Sequence, residues 1–475
     1  MIAYVIGRIL LTEAALLLLP LLVALLYGEA PWPFLIPAAL LVLCGGVMSG
    51  KKPKSTALYA RDGLAVVALA WICMSLFGAL PFVISGDIPN YVDAFFETVS
   101  GFTTTGSSIL TEIEPLSRGG LFWRSFTHWV GGMGVLVFVM AILPMNDGHG
   151  MHLMRAEVPG PTVGKLVSRM SDTAKILYGI YLAMTVIETV LLLLGGMSLY
   201  DSLIHAFGTA GTGGFSCRNL SVGAYDSVYF DVVISVFMLL FGVNFNLYYF
   251  LLIRRFRDVV CSEELRAYLL IVSASVLAIA VNISHLYQSF GASLRYALFQ
   301  VSSIITTTGY ATADFNTWPA FSKAILVILM FVGACAGSTG GGIKVARLLL
   351  LLKSTRRNIS QMLHPRKVLL VRNNNQVVDE KVLANTNAYL AAYVIILFIS
   401  FMVVSLDGFS TGTNFSAILC CFNNIGPGLE AVGPTCNFSG FSVLSKLVLI
   451  FDMLLGRLEI FPLLVLFSPQ TWRGR

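Results

Sequence analysis

Four short Thr/Gly-rich stretches recur along this chain at intervals of about one hundred residues. They occupy residues 100–108, 210–216, 305–310 and 423–428 and read SGFTTTGSS, AGTGGFS, ITTTGY and NNIGPG. When Gly106, Gly213, Gly309 and Gly426 are taken as equivalent, the spacings are 107, 96 and 117 residues (213−106, 309−213 and 426−309). A period of this kind predicts four copies of one structural unit.

Each copy follows a short apolar stretch that begins with a polar residue. These stretches are 93–99, 201–207, 295–303 and 414–422, and long apolar runs flank them. They are too short to cross a bilayer, which takes about 20 apolar residues, but long enough for re-entrant half-helices. The predicted unit is therefore a long helix, a half-helix, a Thr/Gly loop and a second long helix.

Composition places the chain in a membrane. Of its 475 residues, 56% are hydrophobic and only 12% are charged, with a mean hydropathy of +0.80. Soluble chains carry roughly 25% charged residues. The net charge of +6 does not indicate nucleic-acid binding, because Lys and Arg cluster in loops between apolar runs, as in membrane proteins with basic cytoplasmic loops. We therefore expect a lipid bilayer, and no nucleic acid, around this chain.

The basic clusters predict the topology. Clusters near residues 51–61, 149–175, 254–257 and 344–357 and at the C-terminal tail mark the cytoplasmic side. Both termini then lie in the cytoplasm, residues 2–27 form a retained helix rather than a signal peptide, and every Thr/Gly loop lies on the outer side. The predicted fold is an all-α polytopic membrane protein with four tandem units around one ion pathway. Its divisions are an N-terminal helix pair (1–57) and pore units at 58–150, 151–260, 261–382 and 383–475.

Four such loops at one depth suit an ion path. Irregular backbone is tolerated inside a membrane only where protein or a water-filled cavity surrounds it. Backbone carbonyls there replace the hydration shell of a cation, and glycine lets the backbone turn without a Cβ clash. The negative C-terminal ends of the half-helices favour a cation in the cavity. Neutral oxygen ligands without a ring of carboxylates favour a monovalent ion over Ca²⁺ or Mg²⁺.

A second feature is the Gly-rich stretch 333–344, which reads GACAGSTGGGIK and interrupts an apolar run. Glycine in a helix costs roughly 1 kcal/mol relative to alanine, so this stretch is expected to unwind. Its functional interpretation is a movable plug under the loops, and the alternative is a kink that serves packing. The stretch departs from the phosphate-loop pattern, because Ile343 stands where that pattern requires Gly before Lys344.

A third feature is Arg457, which lies inside an apolar run. A charge there is costly and usually functional, so Arg457 is interpreted as a positive barrier in the ion path. The alternative is an arginine that snorkels to the interface or pairs with Glu459 or Asp452.

Other features give weaker predictions. Residues 366–381 form either a small hairpin around the run of asparagines at 373–375 or a solvated loop. A disulfide between Cys217 and Cys436 is not expected. His128 and His205 are isolated and are expected to be packed or hydrogen-bonded rather than metal-bound. No clustered acid/base or metal-ligand pattern predicts an enzyme.

At these residues the sequence resembles the Trk/Ktr/HKT superfamily of potassium transporters, and within it the bacterial Trk branch. The matching stretches are GFTTTGS (101–107), HWVGGMG (128–134), TGGFS (212–216), ITTTGY (305–310), AGSTGGGIK (336–344), NNIGPG (423–428) and GRLEI (456–460). The resemblance implies potassium uptake, since glycine at the first filter position goes with K⁺ and serine there with Na⁺. Loop 210–216 departs from the pattern at Ala210 and Gly211, and loop 423–428 has Asn, Asn and Ile in place of Thr, which puts equal fourfold coordination in question.

The resemblance also implies site residues. The residues that would line the K⁺ filter are Thr104, Thr105, Gly106, Gly211, Thr212, Gly213, Thr307, Thr308, Gly309, Asn424, Ile425 and Gly426. The residues of the gate would be Gly337, Ser338, Thr339, Gly340, Gly341, Gly342, Lys344 and Arg457. The family works as a homodimer in the bacterial inner membrane and docks cytosolic RCK-type nucleotide-binding regulatory subunits, so any nucleotide would act through that partner. The basic cytoplasmic loops and 366–381 would be docking surfaces.

Two other functions stay open at this point. One is a cation symporter coupled to H⁺ or Na⁺, which the sequence does not distinguish from a passive channel. The other is a carrier of a small organic solute, whose signature is inverted repeats with intramembrane acids. The repeats here run parallel, and the filter regions are expected to lack buried carboxylates, which favours the ion pathway.

Overall fold

The computed structural model describes residues 1–51, 60–134 and 170–472. Most of these residues lie in helices, and strands are confined to one short hairpin within the described ranges. The α-helices are α1 Ile2–Leu16, α2 Leu18–Leu26, α3 Trp32–Ser49, α4 Ala60–Gly78, α5 Leu80–Ser85, α6 Tyr91–Phe102, α7 Arg118–Gly132, α8 Met170–Leu194, α9 Leu199–Gly211, α10 Val228–Phe241, α11 Phe245–Leu252, α12 Phe256–Val260, α13 Glu263–Asn282, α14 Phe290–Ile305, α15 Ala320–Phe331, α16 Val345–Leu363, α17 Glu380–Val404, α18 Thr411–Phe422, α19 Val443–Arg457, α20 Phe461–Leu466 and α21 Pro469–Trp472.

Several helical stretches are long and apolar enough to cross a membrane. Within the described ranges there are six, and a seventh if α10 and α11 count as one bent span. The six are Ile2–Leu26, Trp32–Ser49, Arg61–Ser85, Asp172–Leu194, Glu263–Asn282 and Glu380–Asp407. The prediction of an all-α polytopic membrane protein is confirmed. The expected return helix at 122–143 is described only as far as residue 134, and most of the basic segment 149–175 lies outside the described residues.

Four short helices, α6, α9, α14 and α18, cover the predicted half-helix stretches. We call them short helices 1 to 4, and the loops that follow them loops 1 to 4. Each begins at a polar side chain that accepts a hydrogen bond from a backbone N–H of its first turn. These N-caps are Asn90, Ser198, Ser289 and Ser410. Each short helix therefore starts at its cap, two to five residues before the predicted apolar stretch.

The N-terminal helices form a tight pair against the rest of the bundle. A Cβ on Gly7 of α1 or on Gly45 of α3 would lie under 3.0 Å from the backbone of the other helix. Small residues of this kind let two membrane helices approach closely, where dispersion contacts hold them together. Helix α1 also packs against α4, which joins the pair to the first unit.

Two helices that were predicted to be continuous are broken. Residues 228–253 divide at 242–244 into α10 and α11, which are bent by 91°. Asn244 caps the new helix by accepting from Asn246 N at 2.9 Å. Residues 441–467 divide at 458–460, where Glu459 and Ile460 have φ of 54° and 68°. Left-handed backbone at these two residues cannot continue a right-handed helix.

The Gly-rich stretch interrupts its helix as predicted. Helix α15 ends at Phe331 and α16 begins at Val345, with no helix in between. Gly337 and Gly342 have φ of 68° and 70°, a conformation that glycine adopts without a Cβ penalty.

The stretch 366–381 contains the hairpin rather than only a loop. Its strands are β1 Arg372–Asn373 and β2 Gln376–Val377, which pair antiparallel with Arg372 opposite Val377. The turn between them uses positive φ at Asn374 and Asn375, which asparagine tolerates. The hairpin is shorter than predicted.

Candidate functional site

The four loops share one backbone conformation. Each loop has a pair of residues with positive φ, separated by one residue. The pairs are Thr104 and Gly106, Thr212 and Gly214, Thr307 and Gly309, and Asn424 and Gly426. In each loop the first residue of the pair donates its N–H to the carbonyl three residues earlier in the chain. The residue between the two members of the pair donates its N–H to the carbonyl five residues earlier. These shared bonds align the loops without reference to their side chains.

The alignment corrects one residue of the sequence-based equivalence. Gly213 was paired with Gly106, but Gly214 is the glycine that lies two residues after the left-handed Thr212. The spacings become 108, 95 and 117 residues (214−106, 309−214 and 426−309). Gly213 corresponds instead to Thr105, Thr308 and Ile425.

The four loops follow each other around a closed ring. A Cβ built on Gly106, Gly214, Gly309 or Gly426 would meet, in that order, the carbonyl oxygens of Gly213, Thr308, Ile425 and Thr105. The first three approaches would be under 3.0 Å and the fourth 3.0 Å. Each glycine thus packs against the carbonyl that precedes the equivalent glycine in the next loop. This cyclic order brings four backbone carbonyls together.

A polar cavity lies on one side of the ring. Its lining includes all four glycines, namely Gly106, Gly214, Gly309 and Gly426. The rest of the lining comes mainly from residues that follow the loops, among them Ser107, Ser216, Thr435 and Cys436. Cys217 and Cys436 are both free thiols in the structure.

The Gly-rich segment, defined as residues 332–344, packs on the residues that precede the glycines. Gly341 donates its N–H to Thr307 Oγ1 at 2.6 Å. A Cβ on Gly340 would lie 2.9 Å from the carbonyl oxygen of Thr306, and one on Gly341 would lie under 3.0 Å from that of Asn423. The segment therefore contacts the ends of short helices 3 and 4, whereas the cavity is lined by the other ends of the loops.

Tertiary hydrogen bonds hold this segment in place. Glu264 Oε1 accepts from the backbone N–H of Ala336 at 2.6 Å and of Ala346 at 3.2 Å. Gly337 O accepts from Phe245 N at 3.0 Å, and Cys335 N donates to Gly242 O at 3.0 Å. The break between α10 and α11 thus supplies partners to the Gly-rich segment. Within the segment, the ammonium of Lys344 donates to Gly340 O.

Arg457 is buried between the segment and loop 1. Its Nη1 donates to Thr339 O at 2.9 Å and to Thr104 Oγ1 at 3.3 Å. Its Nη2 donates to Gly132 O at 2.7 Å and also to Gly131 O. The two acids that the alternative interpretation assigned to Arg457 have other partners.

Those partners are on neighbouring helices. Glu459 accepts from both Nη atoms of Arg347, and Asp452 Oδ1 accepts from Ser400 Oγ at 2.8 Å. Arg457 is therefore placed where residues of loop 1 and of the Gly-rich segment meet, inside the protein.

Contacts of different kinds join each pair of neighbouring loops. Loops 1 and 2 are joined by the ion pair of Glu97 and Arg124, in which Arg124 Nη1 also donates to Ser216 O at 3.1 Å. Loops 2 and 3 are joined by the Tyr310 hydroxyl, which donates to His205 O at 3.0 Å. Loops 4 and 1 are joined by Ser107 Oγ, which donates to the carbonyl of residue 426 at 3.0 Å.

Loops 3 and 4 meet outside the short helices. Asn316 Nδ2 donates to Glu430 O at 3.2 Å, and Glu430 N donates to Asn316 Oδ1 at 2.9 Å. Hydrogen bonds from the Ser410 and Thr413 hydroxyls hold the pKa of the Glu430 carboxyl below its usual value.

The two histidines are packed and hydrogen-bonded. His128 Nδ1 lies 2.7 Å from Gly101 O, and its ring packs against Phe215 with centroids 4.1 Å apart. His205 bonds to Asp201 O at 2.8 Å and to Ser216 Oγ at 3.0 Å. Among the residues that the structure describes, no group of three or more His, Cys, Asp or Glu side chains is arranged to hold a metal.

One expectation about this region was wrong. The filter regions were expected to lack buried carboxylates, but Glu97 of short helix 1 is 1% exposed. Burial of this carboxylate is tolerated because Arg124 and two further donors form hydrogen bonds with it. Sequence reasoning missed four residues of this candidate site, namely Glu97, Arg124, Gly214 and Glu264. The signal for Gly214 was its distance of two residues from Thr212, which matches that of Gly106 from Thr104.

The family model of TrkH, described as a cation transport protein, matches residues 34–473. The chain is 36% identical to the Trk system potassium uptake protein TrkH of Escherichia coli K12 over 481 residues, with 99% of each chain covered. It is 32% identical to TrkG of the same organism over 462 residues, covering 96% of this chain and 95% of that one. The crystal structure of the potassium transporter TrkH from Vibrio parahaemolyticus superposes with a TM-score of 0.88 at 34% identity, covering 99% of both chains.

Proposed function

Because the chain belongs to the TrkH family of cation transport proteins, we propose that it conducts K⁺ into the cell through the ring formed by its four loops. The observation that carries this proposal is the cyclic packing of each loop glycine on the carbonyl of the next loop. Such a ring offers backbone oxygens in place of the hydration shell of a cation. The relatives named as potassium uptake proteins support K⁺ as the ion.

The filter of this proposal consists of the loop residues around the ring. They are Thr104, Thr105, Gly106, Gly211, Thr212, Gly213, Thr307, Thr308, Gly309, Asn424, Ile425 and Gly426, to which we add Gly214. The short helices end at this ring, so their C-terminal dipoles favour a cation there. The absence of a charged side chain among these residues favours a monovalent over a divalent cation.

The gate of this proposal is the Gly-rich segment with Arg457. The members are Gly337, Ser338, Thr339, Gly340, Gly341, Gly342, Lys344 and Arg457. The contacts of Gly340 and Gly341 with short helices 3 and 4 support a segment that closes the path beneath the filter. Arg457 adds a positive charge on the same side, where it opposes cation passage.

The assembly and its surroundings are part of the proposal. Pore units at 58–150, 151–260, 261–382 and 383–475 follow a helix pair at 1–57, in a multi-pass protein of the bacterial inner membrane with both termini in the cytoplasm. Two copies form a homodimer, and cytosolic RCK-type nucleotide-binding subunits dock on the basic loops and the hairpin. The chain itself has no enzymatic role, and K⁺ is its cargo. Relatives named as members of a Trk system support the presence of partner proteins.

The test is ion uptake by purified protein in sealed liposomes, with and without an imposed proton gradient. Selective K⁺ uptake over Na⁺ that needs no proton gradient is the expected result. Uptake of K⁺ only with a proton gradient would show coupling to H⁺, and a matching Na⁺ gradient tests coupling to Na⁺. Equal uptake of K⁺ and Na⁺ would refute the proposed filter.

A further inference from the structure

A buried ion pair joins the residues that follow the ring glycines of loops 1 and 2. We call these residues the exits of the loops. Glu97 lies in short helix 1 and Arg124 in α7, and Arg124 Nε is 2.6 Å from Glu97 Oε1. The two side chains are 0% and 2% exposed. Charges at this depth are retained only where their remaining hydrogen-bonding groups also find partners. The identity of those partners shows what the pair does.

Glu97 holds the backbone and side chain that follow loop 1. Its Oε1 accepts from Ser108 Oγ at 3.0 Å, and its Oε2 accepts from Ile109 N at 3.0 Å. Ser108 and Ile109 come two and three residues after Gly106. Both carboxylate oxygens are therefore engaged by the exit of this loop.

Arg124 holds the equivalent part of loop 2. Its Nη1 donates to Ser216 O at 3.1 Å, and its guanidinium carbon lies 3.5 Å from the centre of the Phe215 ring. Phe215 and Ser216 come directly after Gly214. One rigid guanidinium thus contacts Glu97 and both residues of this exit.

We propose that Glu97 and Arg124 are positioning residues that set the cation selectivity of the ring. They fix the exits of loops 1 and 2 relative to each other, directly beyond the place where Gly106 packs on the Gly213 carbonyl. Discrimination between cations by carbonyls depends on the positions and number of those dipoles, so a loose exit weakens it. The inference rests on the proposed function, because it concerns the same ring.

A purely electrostatic role makes a different prediction. Arg124 lines the polar cavity beside the ring, and Glu97 neutralises its charge. If charge alone mattered, Glu97→Gln would leave a positive charge that repels cations, and Arg124→Gln would leave a negative charge that attracts them. The apparent affinity for K⁺ would then move in opposite directions, with the K⁺/Na⁺ ratio unchanged.

The experiment compares Glu97→Gln, Arg124→Gln and Arg124→Lys with the unmodified protein in the liposome assay. We expect the K⁺/Na⁺ uptake ratio to fall by about tenfold in all three, which corresponds to the loss of one charge-assisted hydrogen bond. Arg124→Lys is decisive, because it keeps the charge but lacks the fork that reaches Glu97 and Ser216 together. The matched control is Asp231→Asn, which removes the ion pair with Arg295, 3.4 Å long, and leaves the ratio unchanged.

Folding is checked by size-exclusion chromatography and thermal unfolding in detergent. If the three variants do not yield folded protein, Ser108→Ala removes a single donor to Glu97, and a fall in its K⁺/Na⁺ ratio is the expected result. The inference is overturned if the K⁺/Na⁺ ratio of Arg124→Lys, or of Ser108→Ala where that variant is used, equals that of the unmodified protein. Opposite shifts in K⁺ affinity for the two Gln variants overturn it as well. A non-selective unmodified protein would instead refute the proposed filter, so the two failures are distinguishable.

Discussion

The substitution Arg457→Ala is expected to raise K⁺ flux through the protein. It removes the guanidinium that donates to Thr339 O of the Gly-rich segment at 2.9 Å and to Thr104 Oγ1 of loop 1 at 3.3 Å. It also removes the donors to the carbonyls of Gly131 and Gly132 at the end of α7. Among these bonds, the one to Thr339 joins Arg457 to the segment that is proposed to move.

The magnitude follows from that one bond. A hydrogen bond to a charged group contributes about 1.5–3 kcal/mol, so its loss shifts the equilibrium between closed and open segment by about ten- to 150-fold. The bonds to loop 1 and α7 join parts of the scaffold that stay together in both states. Their loss lowers the stability of the whole fold and leaves this equilibrium unchanged. We therefore expect higher flux together with a lower unfolding temperature.

The assay is K⁺ flux from liposomes in the absence of any regulatory subunit, normalised to the amount of folded protein. Arg457→Lys is the control, because it keeps the positive charge with fewer donors and should give a smaller rise. A variant that is folded but shows unchanged or lower flux would contradict the interpretation of Arg457 as part of the barrier. A rise in Arg457→Ala with none in Arg457→Lys would assign the effect to charge.

Three further predictions concern the ring and the segment. Gly106→Ser and Gly106→Ala are expected to lower K⁺/Na⁺ discrimination, because a Cβ there would lie under 3.0 Å from the Gly213 carbonyl, and unchanged selectivity would count against this position. Gly86→Ala is its matched control, since Gly86 has nearly the same φ, 81° against 82°, but no atom within 4 Å of the added Cβ. Deletion of residues 340–342 should raise flux in the same liposome assay, and a folded deletion variant with reduced flux would refute the plug. Glu264→Ala should also raise flux, by about tenfold, because it removes the acceptor of Ala336 N and Ala346 N that fixes the segment; flux equal to that of the unmodified protein would argue against this.

The short helices could be predicted from the sequence to within two to five residues of their starts, because their determinants are local. A polar side chain such as Asn90 or Ser198 stands just before an apolar run and accepts from the first turn. The interruption at the Gly-rich segment was predictable for the same reason, since runs of glycine are poor helix formers wherever they occur.

The helix breaks at 242–244 and 458–460 could not be predicted because tertiary contacts stabilise them. The first break lets Gly242 O and Phe245 N bond to Cys335 and Gly337, which are almost one hundred residues away. At the second break, the side chain of Glu459 pairs with Arg347 of α16. The residues of an apolar run do not show which distant residues will contact them, so periodicity alone predicts one continuous helix.

The position of the second ring glycine shows where residue spacing is insufficient. Gly213 and Gly214 are adjacent, and a spacing near one hundred residues fits either of them. Backbone conformation decides, because the ring glycine lies two residues after a left-handed residue in every loop. The ion pair of Glu97 and Arg124 was beyond prediction for another reason, since two charges 27 residues apart (124−97) indicate a function but not a shared position.

The four loops differ in their side chains, but they offer the same backbone group to the ring. Thr103 Oγ1 donates to Val99 O at 2.6 Å, so Thr105 is the donor in its 2.8 Å bond to Thr103. Thr306 and Thr308 repeat this arrangement in loop 3. Loops 2 and 4 have Gly213 and Ile425 at the positions of Thr105 and Thr308, so the group that all four loops offer there is the backbone carbonyl.

Loop 4 reaches the same result with different residues. Asn424 Nδ2 donates to Thr105 Oγ1 and to Met453 O, both at 2.9 Å, so its amide braces loop 1 and α19. The carbonyl of Ile425 still packs against Gly309, as those of Gly213 and Thr308 pack against their neighbouring glycines. Replacement of Thr by Asn and Ile therefore changes what supports the loop while it preserves the carbonyl. Fourfold coordination by the backbone is compatible with a sequence in which only two of the four loops are alike.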